Sequence, residues 1–172
     1  NMFITHADAE LYTLSFGAGP RTLVAHGGWI GSWELWAAPF TRLSQAWRTV
    51  SYDHRGAGAT IAPVDSIDQP ALVDDLFFVL DALGIEQCVL AAESSGVAVA
   101  LRAALRQPQR FSGLVLVDGL YYQPEPTEND PFVTALQSNY AATLDWFALQ
   151  CVPDAQHAAI RRWGRQILER AS

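Results

Sequence analysis

Positive charge is scarce in this chain of 172 residues: eleven basic side chains stand against eighteen acidic ones, a formal charge of −7. Spread evenly, that charge repels phosphate backbones and anionic lipid surfaces, so neither nucleic acid nor membrane is an expected partner. Cysteine is scarcer still. Cys88, in an apolar run, and Cys151, far along the chain, make neither a disulfide framework nor a metal-ligand cluster. Both are expected as buried free thiols, and no metal or cofactor is expected. No apolar run reaches the ~18 residues that a spanning helix needs. The opening NMFITHADAE has neither the basic start nor the continuous apolar stretch of a secretory signal, which places the chain in the cytoplasm as an expectation. Repeats and low-complexity tracts are absent too. What remains is a globular composition, 50% hydrophobic and 17% charged, in a length that suits one compact unit.

The first two thirds alternate between two periodicities. RTLVAH (21–26), WRTVSYD (47–53), EQCVLAAE (86–93) and FSGLVLVD (111–118) are short and broadly apolar, and Gly, Pro or charged residues bound them, so each predicts a buried strand. Between them, DQPALVDDLFFVLDALG sets Leu72, Leu76, Val79 and Leu83 on one helical face, with Asp68 as cap, Pro70 in the first turn and Gly84 as stop. SGVAVALRAALRQP predicts a helix with Val97, Leu101, Ala104 and Leu105 on one face, ending at Pro108. Pro39 delays another helix to near Ala38. MFIT and AELYTLSFG predict an opening antiparallel pair. Continuously apolar strands separated by helices imply a mostly parallel, doubly wound α/β sheet with helices on both faces. The character changes at Tyr121. A loop rich in Pro and acid precedes two helical stretches, 131–150 with Phe132, Leu136 and Tyr140 on one face, and 153–170 with Ile160, Trp163 and Ile167. The expected division is a core over 1–120 and a helical segment over 121–172.

Two adjacent serines sit where the strand 86–93 passes straight into a helix. A residue on such a joint is thrust beyond the carboxyl end of the sheet, and its neighbours must be small. Ala92 and Gly96 flank Ser94 at two residues' distance, the small-x-Ser-x-small pattern of a nucleophile on a sharp turn. The backbone N–H of Ser95 opens the helix, where a developing negative charge would be stabilised. The other reading of the same residues makes Ser95 a helix cap and Ser94 a polar turn residue. The glycine-bearing loop GGWIGSW leaves strand 21–26 beside this joint, and its amides, Gly28 first and Trp29 second, could supply another donor to an oxyanion. His26 ends a buried strand and is expected to bond to nearby loop backbone rather than to act as a base. Trp29, Trp33, Trp36, Phe132, Tyr140 and Phe147 suggest an apolar cleft, though packing explains aromatics equally well. GAGAT, with Gly56 and Gly58 after a strand, fails as a dinucleotide site: Ile61 stands where a third glycine belongs and Pro63 follows.

LVAHGGW, SYDHRGAGAT and the run from LVDDLFFVLDALG to LVLVDG together resemble the α/β-hydrolase family in order and spacing, over about residues 10 to 120. That resemblance implies a hydrolase acting on an ester, lactone or similar small carbonyl compound through an acyl-enzyme. Ser94 is then the nucleophile, Gly28 and Ser95 provide the oxyanion hole, Asp53 and Arg55 form a structural turn, and 121–172 begins a helical cap. A small apolar or ester-like substrate is the implied partner. Ala92 replaces the family's usual first glycine. The resemblance also places the histidine base, and the acid that orients it, beyond Ser172: His6, His54 and His157 are poor substitutes, and Asp118 occupies the place where some members carry the acid. Strand 111–118 is then an apolar edge, which a missing segment or self-association would cover. A non-catalytic ligand-binding or receptor module on the same fold is the alternative. Hydrolase, haloperoxidase and carbon–carbon cleaving chemistries share this frame, so the fold does not choose the substrate.

Overall fold

The computed structural model describes residues 1–119, 121, 127 and 129–171. Six strands form one sheet: β1 (Met2–His6), β2 (Ala9–Phe16), β3 (Arg21–His26), β4 (Trp47–Tyr52), β5 (Cys88–Glu93) and β6 (Phe111–Val117), in the spatial order β1-β2-β4-β3-β5-β6. The opening pair is antiparallel, with Met2 opposite Thr13 and His6 opposite Ala9, and β2 runs antiparallel to β4. From β4 to β6 all neighbours are parallel. The helices are α1 (Ala37–Leu43), α2 (Gln69–Ala82), α3 (Gly96–Arg106), α4 (Pro131–Ser138), α5 (Tyr140–Cys151) and α6 (Ala158–Leu168). Among the described residues no helix is long and apolar enough to cross a membrane.

Alternation along the parallel strands separates two apolar layers. Leu23, Ala25 and Ala91 meet Phe40 of α1 on one face. Val24, Val50, Leu90 and Ala92 meet α2 and α3 on the other, where Leu76, Val79 and Leu80 are fully buried. The start and stop of α2 follow from its sequence. The Asp68 carboxylate accepts the Ala71 N–H at 2.7 Å, and Pro70 lies in the first turn, where a missing N–H costs nothing. At the other end Gly84 takes φ +65, and the Ile85 N–H turns back to the Leu80 carbonyl at 2.8 Å.

Four expectations are corrected. On α3 the buried residues are Gly96, Val97, Ala98, Val99, Ala100 and Ala103, whereas Leu105 is 85% exposed. The first turn of α3 is closely packed, since a Cβ on Gly96 would lie 2.3 Å from the Gly27 carbonyl oxygen and one on Gly119 2.5 Å from Val97; alanines and valines take the most buried positions, Leu101 packs partly buried against the core, and Leu105 does not. The stretch 131–150 is two helices, because Asn139 leaves the helical region and its side chain caps α5 through the Ala142 N–H. Tyr140 is consequently exposed and does not continue the face of Phe132. The stretch 153–170 begins with an isolated turn at Ala155–His157 before α6 starts, and Ile167 alone of its three apolar residues is fully buried. Cys151 is exposed, because it ends α5 at the surface, while Cys88 is buried and its thiol is pushed up to about 12 by that burial. Most of the acidic loop after Tyr121 lies outside the described residues. Among the described residues strand β6 pairs only with β5, and Val115 and Val117 on it are about half exposed.

A buried ion network ties the antiparallel pair to the parallel sheet. Arg55 donates through Nε and Nη2 to both oxygens of Asp75, at 2.6 and 3.1 Å, and through Nη1 to Asp8 and Ser66. Asp75 on α2 has no exposed surface and also meets Nδ1 of His6, whose ring stacks on Phe78. Removing one partner of a buried pair strands the other charge in low dielectric. Asp75→Ala should therefore destabilise the protein by about 3–5 kcal/mol in urea unfolding.

At the end of β3, His26 is buried with Nδ1 2.7 Å from the Tyr52 hydroxyl, so a side-chain hydroxyl rather than loop backbone is its partner. Burial, and then the neighbouring His54, hold the His26 imidazole well below the ordinary histidine range, and burial holds the Tyr52 phenol well above its own. The folded state thus keeps His26 neutral at pH values where the unfolded chain protonates it, and below about pH 6.5 the unfolded state binds the extra proton. Stability should fall by up to about 1.4 kcal/mol per pH unit as pH drops from 6.5. Unfolding curves at pH 7, 6 and 5 check this, and His26→Asn should flatten the acid slope.

Candidate active site

The site begins where β5 hands the chain to α3. The helix follows the strand at once, so a single residue must reverse the backbone direction, and Ser94 does so with φ +51. That left-handed conformation is costly for a residue with a Cβ, and it persists only where surrounding bonds over-determine it. The Ser94 N–H donates to the Val117 carbonyl at 3.1 Å, and the Ser94 carbonyl accepts the Val97 N–H of the first helical turn at 3.2 Å. Asp118, directly after β6, is likewise left-handed, with φ +47.

Ser94 is half-buried and opens on a cleft of 390 Å³ whose floor it shares with Gly28, Glu93 and Asp118. Phe147, Cys151 and Trp163 of the C-terminal helices face it from above. Although Cys151 is exposed, partial desolvation by the cleft wall, and after it the charges of Glu93 and Asp118, push its thiol up. Trp29 joins the two sides: its indole packs edge-on against Phe132 at 5.0 Å and Phe147 at 5.4 Å. Trp33 and Trp36 are turned away from the cleft and pack instead on Phe16 and Phe40. The expected apolar lining thus reduces to Trp29 and residues of the C-terminal helices.

The loop 27–33 is pinned from three directions. Asp53 accepts the Trp33 N–H through Oδ1 and the Ala59 N–H through Oδ2, each at 2.8 Å. Burial raises the Asp53 carboxyl above its ordinary range, and the two amide bonds oppose that rise. Gly58 is required beside it, since a Cβ there would fall 2.1 Å from the carboxylate. His54, buried to 4% exposure, meets the Gly28 carbonyl through Nε2 and the Arg55 carbonyl through Nδ1, both at 2.8 Å. The third hold is on Gly28 itself: its N–H donates to Oε1 of Glu93 at 3.0 Å. The loop lies so close to the joint that a Cβ on Gly28 would sit 3.0 Å from that of Ser94.

The structure therefore brings Gly28 and Ser94 together at one cleft. Ser95 does not line that cleft; it lines an adjoining hollow of 310 Å³ with Gly28, His26 and His54, and its side chain makes no cap bond to α3. As the residue before the helix, it presents an N–H that has no intrahelical acceptor. The rings of His26 and His54 are engaged with Tyr52 and with backbone carbonyls, while His6 and His157 pair with Asp75 and Asp154 away from the cleft. Glu93 was not singled out by its sequence context; the signal for it is its position immediately before Ser94 on a strand that ends at the cleft.

Comparison with known proteins agrees with this architecture. The profile of the alpha/beta hydrolase fold family matches residues 21–166. The RutD protein of Caulobacter vibrioides, named for carbamate hydrolysis, is 33% identical over 138 residues, covering 78% of this chain and 51% of RutD. The strigolactone esterase D14 of Arabidopsis thaliana is 27% identical over 164 residues, 88% of this chain and 61% of that protein. Among solved structures, an esterase from Exiguobacterium antarcticum superposes with a TM-score of 0.88 at 21% identity, over 99% of this chain and 68% of the esterase. The chain thus spans between half and two thirds of the length of the two relatives. With a six-stranded, mostly parallel sheet, a left-handed serine at the β5–α3 joint and a family match over most of its length, the chain belongs to the α/β-hydrolase fold family.

Proposed function

We propose that this chain carries the nucleophile and oxyanion-binding elements of a serine hydrolase that cleaves an ester, lactone, carbamate or similar small carbonyl compound. The observation that carries this reading is Ser94 itself, held at φ +51 in the lining of the cleft within van der Waals reach of the glycine loop. Asp118 shares the left-handed conformation; what sets Ser94 apart is that it stands at the strand-to-helix joint in contact with the glycine loop, where a nucleophile must stand clear of both strand and helix. In this reading Ser94 Oγ attacks the carbonyl carbon and the carbonyl oxygen becomes an oxyanion. The N–H groups of Gly28 and Ser95 stabilise that charge, the alcohol or amine departs with a proton, and water then releases the acid and regenerates Ser94. A serine hydroxyl needs a base. With the four histidine rings placed as above, the base is assigned to the part of the family's length that this chain does not span.

Residues 121–172 act as the cap in this proposal: α5 and α6 set Phe147 and Trp163 over the serine, an apolar roof suited to a small hydrophobic acyl or alkyl group, and Phe132 of α4 reaches it only through its ring contacts with Trp29 and Phe147. The half-exposed apolar residues of β6 mark the edge against which further strands of the full-length protein would pair.

In the full-length protein a fluorophosphonate probe should attach at Ser94, and Ser94→Ala should lower kcat on the best ester of a substrate panel by at least about 10⁴-fold. Labelling elsewhere, or saturable ligand binding with no turnover over the whole panel, would point to a binding module instead. Ser94→Gly should also abolish turnover while raising stability by about 1 kcal/mol, because glycine adopts the left-handed conformation without strain. Thermal unfolding should register that gain as a rise of about 2–4 °C.

A further inference from the structure

The amide that the proposed chemistry needs most is already in use. The Gly28 N–H donates to Oε1 of Glu93 at 3.0 Å. The same oxygen lies 3.2 Å from where a Cβ on Gly31 would stand, so the carboxylate fills the hollow under the loop between the two glycines. Asp118 lines the same cleft, and among the described residues Arg161 is its one basic lining residue. No ion pair holds Glu93 among the described residues. Its carboxylate is thus an anionic oxygen resting on a neutral backbone donor, the same arrangement that a tetrahedral oxyanion would make there.

We propose that Glu93 is a specificity-determining gate, its carboxylate competing with the substrate carbonyl for the Gly28 amide; this rests on the reading of Ser94 as nucleophile and Gly28 as oxyanion donor. A neutral carbonyl oxygen is a weaker acceptor than a carboxylate and displaces it with difficulty. Once the oxyanion forms, a carboxylate still nearby repels it. A substrate that carries a cationic nitrogen beside its carbonyl escapes both penalties, because the displaced carboxylate pairs with the cation. The gate therefore favours cationic acyl groups over neutral ones of the same size. Gln at this position keeps an oxygen that can accept the Gly28 N–H but removes the charge, and Ala removes both.

The test compares wild type, Glu93→Gln and Glu93→Ala of the full-length protein on two p-nitrophenyl esters, the neutral acetate and the trimethylglycine ester with its fixed positive charge, together with the rate of fluorophosphonate labelling at Ser94. Expected are a rise in kcat/KM for the acetate of at least about tenfold, larger in Ala than in Gln, and a fall of similar size in the preference for the cationic ester; loss of one oxyanion donor ordinarily costs more than that. A merely structural role for the bond gives the opposite order, with activity lost in Ala and restored in Gln. An acetate rate that does not rise in either variant, or an unchanged preference, overturns the gate while labelling at Ser94 leaves the hydrolase reading standing. Absence of labelling in all three forms removes both.

Discussion

Two stretches of backbone meet at the carboxyl end of this sheet more closely than side chains permit, and that close approach governs the rest of the structure. The loop after β3 crosses the β5–α3 joint so tightly that a Cβ on Gly96 would lie 2.3 Å from the Gly27 carbonyl oxygen, and one on Gly27 would lie 2.4 Å from that of Gly31. Glycine at these positions is a requirement of space. Because the joint cannot widen, β5 must turn into α3 within one residue, and Ser94 takes up the strain. The small residues along α3 follow from the same crowding, since a bulkier face would lift the helix off the sheet.

The surrounding polar groups keep that contact in place. Asp53 and His54, in the turn after β4, hold the loop from one side by its Trp33 N–H and its Gly28 carbonyl. Glu93 holds it from the other by the Gly28 N–H. Below this turn, Arg55 reaches into the buried pair with Asp75, so the segment that carries Asp53 and His54 is itself anchored to α2 and, through Asp8, to the β1–β2 turn. The path from the antiparallel pair to the serine is a continuous series of short polar contacts. On the open side Trp29 carries the connection through its aromatic contacts with Phe132 and Phe147 of the C-terminal helices, and Arg170 adds an ion pair to Glu34.

Much of this was legible along the chain. The four parallel strands appear within one or two residues of their expected bounds, because their continuously apolar runs need no partner to be recognised; β6 was expected to be buried, but as an edge strand it has no fully buried residue. The start and stop of α2 were legible for a similar reason: Asp68, Pro70 and Gly84 act within a turn of their own positions. What escaped depends on neighbours distant in sequence. Helical spacing grouped Leu105 with Val97, but in the last turn it is Ala103 that faces the core, so Leu105 is in water. The break at Asn139 was signalled only by one capping residue inside a long apolar pattern. Trp33 and Trp36 looked like cleft residues because aromatic side chains declare size and not direction.

Composition and local spacing suffice for the succession of strands and helices along the chain, for a serine between small neighbours, and for the glycines that permit a loop to approach it, since each is read over a few residues. The tertiary structure decided the rest: that Ser94 stands in a left-handed conformation over a cleft, that the Trp29 indole meets the C-terminal helices, and that the Gly28 amide faces the Glu93 carboxylate. The last two residues are 65 positions apart along the chain. No local periodicity encodes such a bond. It exists only because β3 and β5 lie side by side in the sheet and end at the same level, which brings the loop of one over the final side chain of the other.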